Sequence, residues 1–152
     1  MIFGLTAFGA VHFLLGLTSI GLGARILMRR KGTRGHKSEG RWFFFAMVWL
    51  NIAGLMVHQD ARGYGLFHLL AGLSLAMLGT GMFMGWTARG RRARVLSHAY
   101  FMTWAYAGLL TAGVGQGVAA FGGPVGWVIV VCLIVASVLI HYGGIERAEA
   151  RR

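Results

Sequence analysis

Carboxylates are scarce in this sequence: four aspartates and glutamates stand against fifteen lysines and arginines in 152 residues. None of the four falls within an apolar stretch. That argues against proton pumping and cation transport, which need ionisable groups inside the bilayer. There is one proline, Pro124, and one cysteine, Cys132. A lone cysteine closes no intrachain disulfide, so Cys132 reads as a small buried or lipid-facing residue and leaves the compartment open. Low-complexity tracts, long linkers and internal repeats are missing. So are nucleophile–base pairs and phosphate loops; Gly79-x-Gly81 lies inside an apolar run, where helix packing explains it.

What remains is apolar. Hydrophobic residues make up 57% of the chain and charged residues 12%, about half of the roughly 25% usual in soluble domains. A chain of this size has too little interior to hide so much apolar surface from water, whereas lipid permits an apolar exterior. The net charge of +11 does not indicate nucleic-acid binding. Its residues form short clusters between apolar runs, not one basic face.

Five apolar stretches stand out, approximately Ile2–Met28, Trp42–Val57, Tyr64–Trp86, Val95–Ala120 and Val125–Gly143. About 20 helical residues cross a hydrocarbon core of ~30 Å. Four stretches reach that length, and the second reaches it with Trp42 and His58 in the headgroup regions. Placing Arg25, the loop 29–41, the loop around Arg89–Arg94 and the tail in the cytoplasm puts 14 of the 15 basic residues inside, Arg62 being the exception. The positive-inside rule then gives an all-α integral membrane bundle of five transmembrane helices, N-terminus out and C-terminus in. It forms a single transmembrane domain over 1–152, multi-pass in the cell inner membrane, with anionic lipids at its basic cytoplasmic face. A cleaved signal peptide begins with positive charge; here Met1–Ala24 is apolar and the cations follow. Trp86, Tyr100, Tyr64 and Trp127 are expected interfacial anchors, and Pro124 opens the fifth helix, where its missing N–H costs nothing.

Small residues recurring every four positions predict close helix contacts. Gly72/Ala76 and Gly108/Ala112 fall at comparable depths, so the third and fourth helices are expected to pair along them. The fifth, rich in Val, Ile and Leu, is expected to face lipid or a partner subunit. Asn51 and Gln116 are intramembrane amides suited to interhelical hydrogen bonds.

Each predicted helix carries one histidine: His12 in the first, His58 ending the second, His68, His98 and His141 in the others. His36 lies in the basic loop and reads as solvated. In the topology above, His58 and His68 fall near the outer surface, with His12 deeper, roughly 15 Å along its helix at ~1.5 Å per residue. His98 and His141 fall near the inner surface. Neutral imidazole ligates haem iron, and a bis-histidine haem in each leaflet makes a transmembrane electron path. His12 with His68 is the expected outer ligand pair, and His98 with His141 the inner option. His58 and His68 flank one short hairpin and make a poor axial pair. Interfacial histidines are also ordinarily just solvated, which explains His58, His98 and His141 equally well.

The stretch Tyr64–Gln116 resembles a family of uncharacterised bacterial membrane proteins. The matching elements are Phe67-His68 opening a helix, the basic loop with Arg89, Arg91 and Arg92, and His98 followed four residues later by Met102. The resemblance covers about a third of the chain. The layout of histidines on several helices near both surfaces is also similar to small b-type cytochromes of the cytochrome b561 kind, which implies haem b and exchange of electrons with quinone. Two functions are left open: a haem b electron-transfer protein, or a non-catalytic accessory subunit of a larger respiratory or photosynthetic membrane complex. A transporter is a weaker third.

Overall fold

A computed structural model describes residues 7–56 and 65–149, and the side chains within them except those of 7 and 142–149. His58, Asp60, Arg62 and Tyr64 lie outside the described residues. All regular structure in the described chain is helical: α1 (Ala7–Met28), α2 (Arg34–Met56), α3 (Leu66–Trp86), α4 (Arg92–Ala120) and α5 (Val125–Glu149).

These helices coincide with the five apolar stretches at most ends. The larger departures are α2, which begins at Arg34, eight residues before the expected Trp42, and α5, which continues six residues past Gly143 to Glu149. Apolarity marks what can sit in lipid, whereas a helix continues wherever its backbone bonds and its first turn is capped. Thr33 supplies the cap, its Oγ1 accepting the His36 backbone N–H at 3.2 Å. Gly32, at φ 79°, turns the chain out of α1 just before that cap.

Two helices, Phe8–Met28 and Leu66–Trp86, each of 21 residues, are long and apolar enough to cross a membrane. A core helix of a soluble protein would satisfy the same test while mostly buried. Here only 11% and 17% of the two apolar windows are buried, and Leu14, Leu17, Leu69 and Phe83 point outward.

The chain divides into two compact units, 1–106 and 107–152. In the first, α1 and α2 form an antiparallel hairpin, α3 packs on α2, and the first half of α4 packs on α3. Phe43, Met47 and Leu50 of α2, Leu78 and Met82 of α3 and Ala105 of α4 are buried. Asn51 fulfils the role expected of it: its Nδ2 donates to Met47 O at 2.7 Å within α2 and to Ser74 Oγ of α3 at 3.2 Å. Tyr106 of α4 reaches α1, where its hydroxyl donates to Ile20 O at 3.1 Å. Its ring lies in the space left by the missing side chain of Gly23, and it meets Phe43 of α2 edge-on, centroids 6.1 Å apart.

Within the first unit the close contact of α3 lies away from Gly72 and Ala76, whose expected partners Gly108 and Ala112 belong to the second unit. Gly72 and Ala76 are exposed, and a Cβ on Gly72 would meet nothing within 4 Å. The tight face is one step further along, at Gly81 and Gly85. A Cβ on Gly81 would lie 2.9 Å from Met102 Sδ and 3.2 Å from Phe101 Cβ, and one on Gly85 would lie 2.7 Å from His98 Nδ1. Small residues permit close approach; a large partner side chain opposite them decides where it happens.

The second unit comprises the rest of α4, a turn through Gly122 at φ 69°, and α5. Leu109, Thr111 and Ile129 are buried. Trp127, Val131, Ile134, Val135, Val138 and Leu139 of α5 are exposed.

Candidate functional site

Two histidines dock on neighbouring helices in the same manner. His12 of α1 places Nδ1 3.1 Å from Leu50 O of α2, and its ring lies over Gly54, whose Cβ position is 3.1 Å from Cε1. His98 of α4 places Nδ1 2.7 Å from Gly81 O of α3, and its ring lies over Gly85. In both, the acceptor carbonyl is four residues before the glycine that admits the ring. The geometry has one chemical consequence. A carbonyl oxygen only accepts, so Nδ1 carries the proton and Nε2 of the neutral ring holds the lone pair. That is the tautomer of a histidine that ligates through Nε2, and metal-bound histidines commonly donate their other ring N–H to a carbonyl in this way.

His68 is held in the opposite sense. The backbone N–H of Gly65 donates to His68 Nδ1 at 3.1 Å, so Nδ1 accepts and the proton of the neutral ring sits on Nε2, which is buried. Ligation through Nε2 would require that proton to move and the Gly65 N–H to be released. His141 is exposed on α5, in the second unit. His12 and His68 thus differ in tautomer, and His98 and His141 belong to different compact units. Among the described residues no group of three or more His, Cys, Asp or Glu is clustered for a metal ion, which leaves pairs of imidazoles as the donor sets to consider.

The residue that sequence reasoning passed over is His36. It lies in the first turn of α2, half-buried, and its Nδ1 is buried with no hydrogen-bond partner. Desolvation is the main cause that pushes its pKa down, the positive charge of Lys31 adds to the effect, and Glu39 opposes it. The signal was available: His36 falls on the stripe that continues as Gly40, Phe43, Met47, Leu50 and Gly54, the buried face of α2, at the helical repeat of three and four.

The surrounding loop is firmly tied. Glu39 accepts from Arg25 Nη2 at 2.7 Å and from Arg29 Nε at 2.6 Å, and hydrogen bonding by Arg29 is the main reason its carboxyl titrates below the usual glutamate range. Lys31 Nζ donates to Ile26 O and Leu27 O at the end of α1, and Arg94 donates to Thr87 O at 2.6 Å. On the outer flank of α1 and α2, an open apolar groove of 530 Å³ is lined mainly by Leu15, Leu22, Trp42, Phe45 and Trp49. No family model, curated protein or solved structure matches this chain.

Proposed function

We propose that this chain is a small multi-pass protein of the inner membrane, five helices crossing with the N-terminus out and the C-terminus in, that carries haem b and conducts electrons between the two membrane faces. The observation that carries the reading is the paired docking of His12 and His98. Each Nδ1–H is committed to a helix carbonyl, at 3.1 and 2.7 Å, so each neutral ring directs its basic nitrogen elsewhere. The two stand towards opposite faces in the proposed topology, one per leaflet.

When bound, haem iron supplies reversible one-electron exchange. The protein's part is to hold the imidazole planes against Gly54 and Gly85, set their tautomer and keep water from them. His68 and His141 are the further ligands this reading offers at the outer and inner sites, His68 only after its contact with Gly65 is given up. The apolar groove beside Trp42 and Trp49 suits the tail of a quinone as electron partner. The topology rests on the 14 basic residues assigned to the inner side and on the outward apolar faces of α1 and α3.

A second reading, a non-catalytic accessory subunit of a membrane complex, is favoured by α5. Trp127 is 76% exposed and Leu139 66%, giving that helix an apolar surface suited to lipid or to another subunit. On this reading the histidine–carbonyl bonds serve helix packing alone.

The absorption spectrum of protein purified from haem-replete cells, before and after dithionite, separates the two. A sharp reduced band, lost in His98→Ala or His12→Ala protein that still inserts, supports electron transfer. Colourless protein leaves the accessory-subunit reading. A periplasm-active reporter fused at Arg152 should be silent, and one in the Asp60 loop active; the opposite pattern overturns the topology.

A further inference from the structure

We propose that the groove on the α1–α2 hairpin is the seat of one anionic glycerophospholipid, its acyl chain lying in the groove and its phosphate on the guanidiniums of Arg25 and Arg29. The proposal rests on the membrane reading and topology above, not on haem, and it takes the groove from the quinone.

The register of the hairpin places the two halves of the site. Arg25 of α1 meets Glu39 of α2 at 2.7 Å. Three residues into the bilayer from that pair, on each helix, are Leu22 and Trp42; one turn further are Thr18 and Ala46, and then Leu15 and Trp49. Those six line the groove together with Phe45. The docking of His12 over Leu50 and Gly54 keeps the same antiparallel register at the far end. The groove and the ion-paired cluster are therefore one strip of the same two helices, with the cluster one turn beyond the groove at the cytoplasmic end.

The strip has the chemistry of a lipid read from tail to head. From Leu22 to Leu15 is seven residues, about 10 Å, of a leaflet about 15 Å deep. The volume is 530 Å³, within the range of about 300–1,000 Å³ usual for small-molecule sites. The one hydroxyl in the lining, Thr18 Oγ1, donates to Leu14 O of its own helix at 2.8 Å, so it asks nothing of an occupant. Trp42 is exposed at the inner end, where an indole sits at headgroup depth.

Charge complementarity chooses the occupant. Arg25 and Arg29 share one carboxylate, Glu39, through Nη2 and Nε at 2.7 and 2.6 Å, which leaves the cluster with a net positive charge. Glu39 is the inner member, its side chain 14% exposed, while those of Arg25 and Arg29 are 60% and 44% exposed. Each guanidinium has five N–H donors and gives Glu39 one of them here. Glu39 thus holds two forks in place with further donors turned outward, an arrangement that matches phosphate oxygens. Arg29 is steadied again by lying against α2 at Gly35, where a Cβ would stand 3.1 Å from Nη1. The segment 25–41 adds five more basic residues and no second carboxylate. A quinone offers this end of the groove no charge to meet, whereas a phospholipid with a net negative headgroup does.

The test uses the full chain, purified in an uncharged detergent, stripped of lipid by washing, and titrated with dioleoylphosphatidylglycerol or dioleoylphosphatidylcholine. These lipids share their chains and differ in headgroup charge. Native mass spectrometry counts the lipid bound. Wild type should take one phosphatidylglycerol about tenfold more tightly than phosphatidylcholine. Arg25→Gln/Arg29→Gln should abolish that preference. Ala46→Trp, which fills the groove and leaves the arginines intact, should weaken phosphatidylglycerol binding by about tenfold as well. Arg91→Gln/Arg92→Gln, removing equal charge from the other basic loop, should change it less than about twofold. Arg25→Lys/Arg29→Lys guards against misfolding: it keeps both charges and should keep a reduced preference. Inorganic phosphate at millimolar concentration should not displace the lipid. Equal binding of both lipids, a preference that survives Arg25→Gln/Arg29→Gln or is lost equally in Arg91→Gln/Arg92→Gln, or displacement by phosphate overturns the site and leaves the membrane reading standing. Binding that Ala46→Trp weakens but that is blind to headgroup and to the arginines marks a neutral occupant such as a quinone tail, and also overturns it. Protein recovered from the soluble fraction without detergent overturns the membrane reading and this site together.

Discussion

The joint at His12 and the joint at His98 are built alike, an imidazole N–H on a helix carbonyl and a glycine beneath the ring, yet their surroundings differ. His98 stands near a loop tied down by Arg94, which donates to Thr87 O at 2.6 Å. His12 approaches the ends of α1 and α2 that lead to residues 1–6 and 57–64, and its expected partner His68 is turned to Gly65. The same local device thus serves two settings, joining α4 to α3 at His98 and α1 to α2 at His12. The comparison teaches that an imidazole anchored on a carbonyl fixes its tautomer and joins two helices at once, so the bond by itself does not mark a ligand.

The comparison is broken most forcibly at the glycines. Gly85→Leu should displace the His98 ring, because even a Cβ would stand 2.7 Å from Nδ1; a cost of about 3 kcal/mol is expected, the upper part of the usual range for overpacking. Gly54→Ala should cost less, about 1 kcal/mol, since its Cβ would meet the His12 ring at 3.1 Å and the ring has only to yield slightly. Gly72→Leu, facing open space, should change stability by less than about 0.5 kcal/mol. Thermal unfolding midpoints of the three variants in one detergent give the order. If Gly72→Leu proves the most damaging, the packing face of α3 has been misassigned.

The smallest effect belongs to the loop. The carboxyl of Glu39 titrates below its ordinary range because Arg29 and Arg25 hydrogen-bond the ionised form. A carboxyl depressed in the folded state contributes stability above its unfolded pKa and loses it as pH falls through the folded value. Wild-type thermal stability should therefore fall on acidification below the ordinary glutamate range, and Glu39→Gln should show a shallower fall with a small loss at neutral pH. An identical acid profile in both proteins would show the clamp to be inconsequential.

Much of the helical architecture was legible because lipid-compatible runs and helices coincide over α1, α3 and the start of α5. The start of α2 was not, since residues 34–41 are polar and become helical through the Thr33 cap rather than through apolarity. The same blind spot hid His36: its basic neighbours suggested a solvated loop, while its place on the buried stripe of α2 becomes evident only once the helix is known to extend that far. The interhelical role of Asn51 was legible from its being a lone amide in an apolar run. The contact face of α3 was not, because Gly72, Ala76, Gly81 and Gly85 are equally small, and the choice among them is made by His98, Phe101 and Met102 on another helix. Tautomers are likewise invisible in a sequence; they depend on whether a carbonyl or an N–H lies opposite the ring, which separates His12 and His98 from His68.

The most direct test of the account is the low-temperature electron paramagnetic resonance spectrum of the oxidised wild-type protein from haem-replete cells. The account expects a low-spin ferric signal of bis-imidazole type that disappears in His98→Ala protein of unchanged monodispersity. An iron-free spectrum from correctly inserted protein, or a low-spin signal unaltered by loss of His98, contradicts it.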